Sequence, residues 1–321
     1  MAQIVEIISN AWNDLKLVFS SKPVKCSTQT CPFISEQEKI IPRVNSVFPG
    51  QQNYGNCGIQ SMKQLIELIT CKKIDEVTLL KDTLKDNKAG IVLKGQNPND
   101  HRTNEKYNSQ HPNEVNDAID SIGNADEIEY RKKMDKVLEI KKSINELNNT
   151  FSGKNFLSDE DKEKYANKVS EYNKSVEEYK MQKDKLKFSP SDTGGTTSID
   201  RNNILEKKYG VEMEADFLGN PPMYDRNTLS DALKENKATI MRVDAYKLPG
   251  WTAPKNGQPG PHAIVIAAGK YDENGNLQQV LINDTGIGKQ TWVNIDQLEK
   301  AAYPDSTLNI TKKPINQNCK S

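Results

Sequence analysis

The hydrophobic positions of the chain follow three patterns. At the N-terminus Ile4, Ile7 or Ile8, Ala11, Leu15 and Val18 recur at helical spacing with Trp12 alongside. This predicts an amphipathic helix that docks on its own domain or on a partner. A second helical stripe, Ile59, Met62, Leu65, Ile66 and Ile69, begins just after Cys57, with Asn53, Gly55 and Asn56 in a turn before it. Farther on, Tyr130, Met134, Val137, Ile140, Ile144 and Leu147, then Tyr165, Val169, Tyr172, Val176 and Tyr179, advance by threes and fours. Between these runs lies NNTFSGKNFLS, where Ser158 and Asp161 are spaced as a helix cap. The pair predicts a helical hairpin projecting from a domain.

In the last third the pattern changes. Ala238–Asp244, His262–Gly269, Asn276–Asp284 and Gln290–Ile295 are short, rich in β-branched residues and predicted to be strands. DENGN joins the second to the third as a hairpin turn. Helices are expected at Ser198–Tyr209, Asn227–Asn236 and Asp296–Ala302. Helical and stranded segments together make an α+β fold class.

Composition sharpens this division. The 321 residues carry 44 Lys+Arg against 44 Asp+Glu, a balance that argues against a dedicated binder of nucleic acid or of anionic membranes. A hydrophobic fraction of 35% is low even with glycine added, so part of the chain is thinly buried. That part is Ala125–Lys187, with 15 Lys+Arg and 14 Asp+Glu among 63 residues. We divide the chain into 1–45 (helix and connector), 46–124, the charged hairpin 125–188, and 189–321. The hairpin is read as a solvated structural arm, with an arm that grips a substrate or partner as the alternative. No apolar run approaches the roughly 18 residues of a membrane span. The N-terminus lacks a basic region before its apolar residues, so no signal peptide is expected. Five cysteines (Cys26, Cys31, Cys57, Cys71, Cys319) form an odd set without framework spacing, which predicts a reducing compartment. Cys26 and Cys31 leave a local disulfide or half a metal site open, but no second pair completes a zinc set, so neither metal nor cofactor is expected.

Three residue types carry candidate chemistry. Cys57 sits at a helix N-terminus, where the helix dipole and unpaired N–H groups favour a thiolate. Cys71, at the other end of that helix, is read as a small core or surface residue. Of three histidines, His101 and His111 fall in the polar stretch GQNPNDHRTNEKYNSQHPN, expected to be a loop. His262 opens the most apolar strand after the Gly/Pro-rich LPGWTAPKNGQPGP and is the candidate general base. Asp284 ends the strand that the hairpin returns to His262, and would orient the imidazole. Gln51, six residues before Cys57, or its neighbour Gln52, would donate to an oxyanion. Gly194-Gly195 is read as a flexible linker, with a self-processing site as the alternative.

Q-x5-C-G with a helix at the cysteine, HAIVIAAG after a Gly/Pro loop, and a strand ending in IND before TGIG resemble the papain-like cysteine peptidases. The closest likeness is to the bacterial branch that includes the double-glycine leader peptidase domains of bacteriocin exporters. It spans about residues 46–80 and 190–305 and leaves out the N-terminal helix and most of the hairpin. It implies a papain-like fold in two halves, 46–124 and 189–321, around an inserted arm. Cys57 would be nucleophile, His262 base, Asp284 orienting acid, and Gln51 the oxyanion donor with the Cys57 N–H. P-H stands where G-H is usual, and D-T where D-P is usual. Membrane and ATPase domains are not found, so the exporter role is not carried over. The expected activity is endopeptidase hydrolysis of a protein or peptide substrate, after small residues such as Gly-Gly. The setting expected by analogy is a bacterial effector or toxin, cytoplasmic or delivered by a specialised secretion system, with an immunity or inhibitor protein as partner. Glutamine deamidation or acyl transfer by the same triad, or a non-catalytic peptide-binding module, are the alternatives.

Overall fold

The structure is a computed structural model and describes residues 40–50, 56–152, 157–253 and 257–319. The N-terminal helix, Cys26, Cys31, Gln51 and Gln52 lie outside them. Among the described residues the fold is mixed α and β, with ten α-helices and one five-stranded antiparallel sheet. The strands are β1 (Thr239–Asp244), β2 (Pro261–Tyr271), β3 (Leu277–Asp284), β4 (Lys289–Asn294) and β5 (Leu308–Ile310), in the order β4-β3-β2-β1-β5. The DENGN turn closes the β2–β3 hairpin, with the Asp272 carboxylate accepting from the N–H groups of Asn274 and Asn276. Val265 pairs with Asn283 and Gly269 with Val280, and a bulge between Ile266 and Ala268 absorbs the change of register.

Both faces of the sheet are covered. Ala263, Val265 and Ala267 join the core built on α2 (Cys57–Thr70) and α3 (Glu76–Asp86). Ile264 and Ile266 point the other way, into a second core with Leu229 and Leu233 of α9 (Arg226–Lys234) and Leu298 and Ala301 of α10 (Ile295–Ala301). A strand buried on both faces has no polar side, which is why HAIVIAAG reads as an unbroken apolar run. Of the remaining helices, α1 (Ile41–Val47) buries Val44 and Val47. Helix α8 (Ser198–Tyr209) runs between a reciprocal Thr197–Asp200 capping box and a left-handed Gly210, so local chemistry alone sets both its ends.

Two expectations need correction. Part of the polar stretch expected to be a loop is helical, His101–Gln110 forming α4, and α5 (Pro112–Ser121) begins at its end, just after His111. Helix α4 has no apolar stripe to betray it, because its buried residues are Asn104 and Asn108. Their amides donate to the carbonyls of Asn97, Lys88 and Ile91. Cys71 is neither a plain core nor a surface thiol, since it forms a disulfide with Cys319 across a sequence separation of 248. The pairing differs from the free thiol expected at Cys71. Spacing could not reveal it, because only the tertiary fold brings the C-terminal segment to the end of α2, where Asn316 N–H also donates to the Leu68 carbonyl.

The charged hairpin is α6 (Ala125–Phe151) and α7 (Asp159–Lys183). Its seam includes a hydrogen bond between the hydroxyls of Tyr130 and Tyr179 and the Gln182 amide on the Asp126 carbonyl. Two helices bury only one seam between them, so Tyr165, Val169, Tyr172 and Val176 remain half-buried. No described helix is long and apolar enough to cross a membrane.

Closing so long a loop makes the bridge a large contributor to stability. Cys319→Ser should lower the urea-unfolding free energy by about 2–4 kcal/mol. Reductant should lower that of the wild type by a similar amount and leave the variant unchanged; an unresponsive wild type would show that the bridge contributes nothing.

Candidate active site

Helix α2 and strand β2 bring their first residues together. Cys57 is the first residue of α2, half-buried, and its Sγ accepts from the backbone N–H of Ala263 at 3.3 Å. It is the one free cysteine among the described residues. The approach requires a glycine at position 58, since a Cβ there would lie 2.2 Å from Thr196 Oγ1. Asn56 before it is fully buried and donates through Nδ2 to Glu76 at 2.7 Å. Gly194 packs against this residue: a Cβ at 194 would lie 2.6 Å from the Asn56 Cβ, and its N–H donates to the Gly90 carbonyl. Gly194 is therefore packed beside the helix start, where a flexible linker was expected, while Gly195 after it is exposed.

His262 is nearly completely buried, and its Nε2 lies 2.8 Å from Asp284 Oδ1. With Nε2 engaged, Nδ1 is the ring nitrogen left to face Cys57, whose thiol and the imidazole each shift the other's proton affinity. Asp284 Oδ1 also accepts from the N–H groups of Gly286 and Ile287, and Oδ2 from Trp251 Nε1 at 2.7 Å. The Trp251 ring lies tilted over the imidazole with centroids 5.3 Å apart. Gly286 makes room for both, because a Cβ there would meet the Trp251 ring at 2.4 Å and His262 Cε1 at 3.0 Å.

The charges follow from these contacts. Burial pushes the Cys57 thiol up, but the hydrogen bond and charge of His262, the Ala263 N–H and the Arg201 charge together bring it below its ordinary 9.0. Burial would push His262 down, yet its bonds to Asp284 and Cys57 raise it to about 9. Burial likewise pushes Asp284 up, and His262, Trp251 and the Gly286 N–H hold it below the usual carboxylate range. These shifts favour a thiolate beside an imidazolium steadied by a carboxylate, an arrangement able to attack an electrophilic carbon and to return a proton.

Of the four residues singled out in the sequence, three converge here, and Gln51 lies outside the described residues. Sequence reasoning missed Trp251, Gly286, the Ala263 N–H and the buried Arg201. Trp251 and Gly286 stand in the LPGWTAPK and TGIG segments that flank the recognised pieces, but nothing local marks them as touching. Among the described residues, no group of three or more His, Cys, Asp and Glu side chains is arranged to hold a metal ion. Comparison with protein-family models, curated proteins and solved structures finds no match.

Two measurements check this geometry through iodoacetamide alkylation followed at the Cys57 peptide by mass spectrometry. In the wild type the thiolate should persist as the pH falls below 9.0, and His262→Ala should move the onset of alkylation upward. Gly286→Ala should displace Trp251 and the imidazole and slow alkylation at neutral pH about tenfold or more, with the far-UV circular dichroism unchanged.

Proposed function

We propose that this protein is a papain-like cysteine endopeptidase acting on a protein or peptide substrate. The observation that carries the reading is Cys57 Sγ on the N–H of Ala263 at 3.3 Å, the residue next to His262, which Asp284 holds at 2.8 Å. The thiolate attacks the scissile carbonyl carbon, and the carbonyl π electrons move to oxygen. On collapse the C–N bond breaks and imidazolium gives its proton to the leaving amine, leaving a thioester on Cys57. Water then loses a proton to the neutral imidazole and attacks the thioester, releasing a carboxylic acid and restoring the ion pair. Gln51 and the Cys57 N–H are the proposed oxyanion donors.

A mixed α and β fold, with the cysteine at a helix start and the histidine and aspartate on an antiparallel sheet, supports the papain-like reading. The resemblance of the motifs to double-glycine peptidases supports a cleft for small residues before the cut. It also supports a bacterial effector or toxin held in check by an inhibitory partner. The Cys71–Cys319 bridge fits a chain that matures where thiols are oxidised.

The deciding experiment is N-terminal peptide profiling of a bacterial lysate treated with wild-type protein or with Cys57→Ala. New termini seen only with the wild type, following small residues, are expected. Identical samples from folded proteins would overturn proteolysis and turn attention to glutamine deamidation, read as a one-dalton mass change, or to peptide binding. On any peptide found, cleavage should fall as the pH rises through about 9, where His262 loses the proton that the leaving amine needs.

A further inference from the structure

Arg201, on α8, is 3% exposed, yet no carboxylate among the described residues forms an ion pair with it. Its guanidinium donates to neutral acceptors: Nε to Asn309 Oδ1 at 2.9 Å, and its terminal nitrogens to the Thr196 carbonyl and the Ser198 hydroxyl, each at 3.0 Å. Removing a cation from water costs several kcal/mol, and neutral acceptors recover only part of that. A buried guanidinium without a counter-ion therefore calls for an anion nearby.

The side chain lies directly beneath the first turn of α2. A Cβ on Gly58 would be 3.6 Å from Arg201 Cδ, which places the aliphatic stem against the residue next to Cys57. The charged neighbours are few. Arg201 feels Cys57, Asp200 beside it on α8 and Arg242 on β1, while Cys57 feels His262 on β2 and Arg201 on α8. Burial pulls the guanidinium down to about 10, which leaves it charged at neutral pH.

We propose that Arg201 is a positioning residue of the site, a fixed buried cation beside the first turn of α2 that stabilises the Cys57 thiolate in addition to the working imidazole. This rests on the reading of Cys57 as the nucleophile. Its chemical sense is that the imidazolium must give up its proton in each turnover, and the thiolate is then without its partner. A guanidinium that never gives up its proton keeps a positive charge near the sulfur throughout the cycle. The arginine is also a better counter-charge here than a lysine at the surface, because it is shielded from the salt and water that screen exposed pairs.

The test follows alkylation of Cys57 against pH in Arg201→Met, Arg201→Lys and Asn309→Asp, with folding checked by circular dichroism. Arg201→Met should move the midpoint up by about one pH unit, a tenfold loss of reactive thiolate below it. Arg201→Lys, which keeps the charge but not the hydrogen-bonding fork, should return the midpoint toward the wild-type value. Asn309→Asp sets a carboxylate against Nε and cancels the charge in place, at the loss of the Asn309 Nδ2 bonds to the Ser198 carbonyl and Asn202 Oδ1; provided circular dichroism shows it folded, it should move the midpoint up even if Arg201→Met does not fold. A folded Arg201→Met or Asn309→Asp with the wild-type midpoint would overturn the proposal, as would Arg201→Lys shifting as far as Arg201→Met, since the residue would then be only a structural rivet. The readout is the thiol itself, so this result is separate from whether any peptide is cut, which the lysate experiment decides.

Discussion

The meeting of one helix end with one strand end is the contact on which the rest of the structure depends. Cys57 accepts from the Ala263 N–H, beside His262, because α2 packs with its N-terminus against the start of β2. Separated charges in a protein interior are costly, so each must be answered by the next. Cys57 is answered by His262, by the Ala263 N–H and by the Arg201 charge; His262 by Asp284; and Asp284 by Trp251 and the loop amides that follow it. Two glycines permit this crowding. A methyl group at 58 or at 286 would collide with Thr196 or with the Trp251 ring.

Such a contact persists only if α2 cannot slide. The helix is buried along most of its length, with Ile59, Met62, Leu65, Ile66 and Leu68 in the core that it shares with the sheet. Its polar positions are held as well: Gln64 Oε1 accepts from Asn283 Nδ2, and Asn283 Oδ1 accepts from Gln290 Nε2, both at 2.6 Å. These bonds link the helix to β3 and β4 in one register. At its far end Cys71 adopts a left-handed conformation (φ 61°) and is tied to Cys319. Helix α2 thus has its reactive residue at one end and a covalent anchor at the other, the rigid support that a reactive pair requires.

Outside this core the chain follows weaker rules. The stripes of the charged hairpin were legible because a three-four repeat persists over many turns, and the seam between α6 and α7 follows it. Helix α4 was not legible, since it is set by the Asp100 cap and by buried asparagines on backbone carbonyls, contacts without periodicity in the sequence. The DENGN hairpin and the bounds of α8 were legible for the opposite reason. Turn and cap chemistry acts over a few residues and needs no distant partner.

The sequence by itself determined the elements whose causes are local: the helix starting at Cys57, the β2–β3 hairpin that returns Asp284 to His262, the strand buried on both faces, and the long charged helices. It also singled out the cysteine, the histidine and the aspartate, because a helix start and two strand ends joined by a tight turn restrict where those side chains can lie. Only the tertiary structure decided what surrounds them. Trp251 on Asp284, Gly286 beneath the Trp251 ring, Gly194 against Asn56, Arg201 beneath Gly58 and the Cys71–Cys319 bridge all join residues far apart in the chain or on separate elements. Periodicity and turn chemistry extend over a few residues, whereas steric fit and the compensation of buried charge are properties of neighbours in space, and those exist only once the chain has folded.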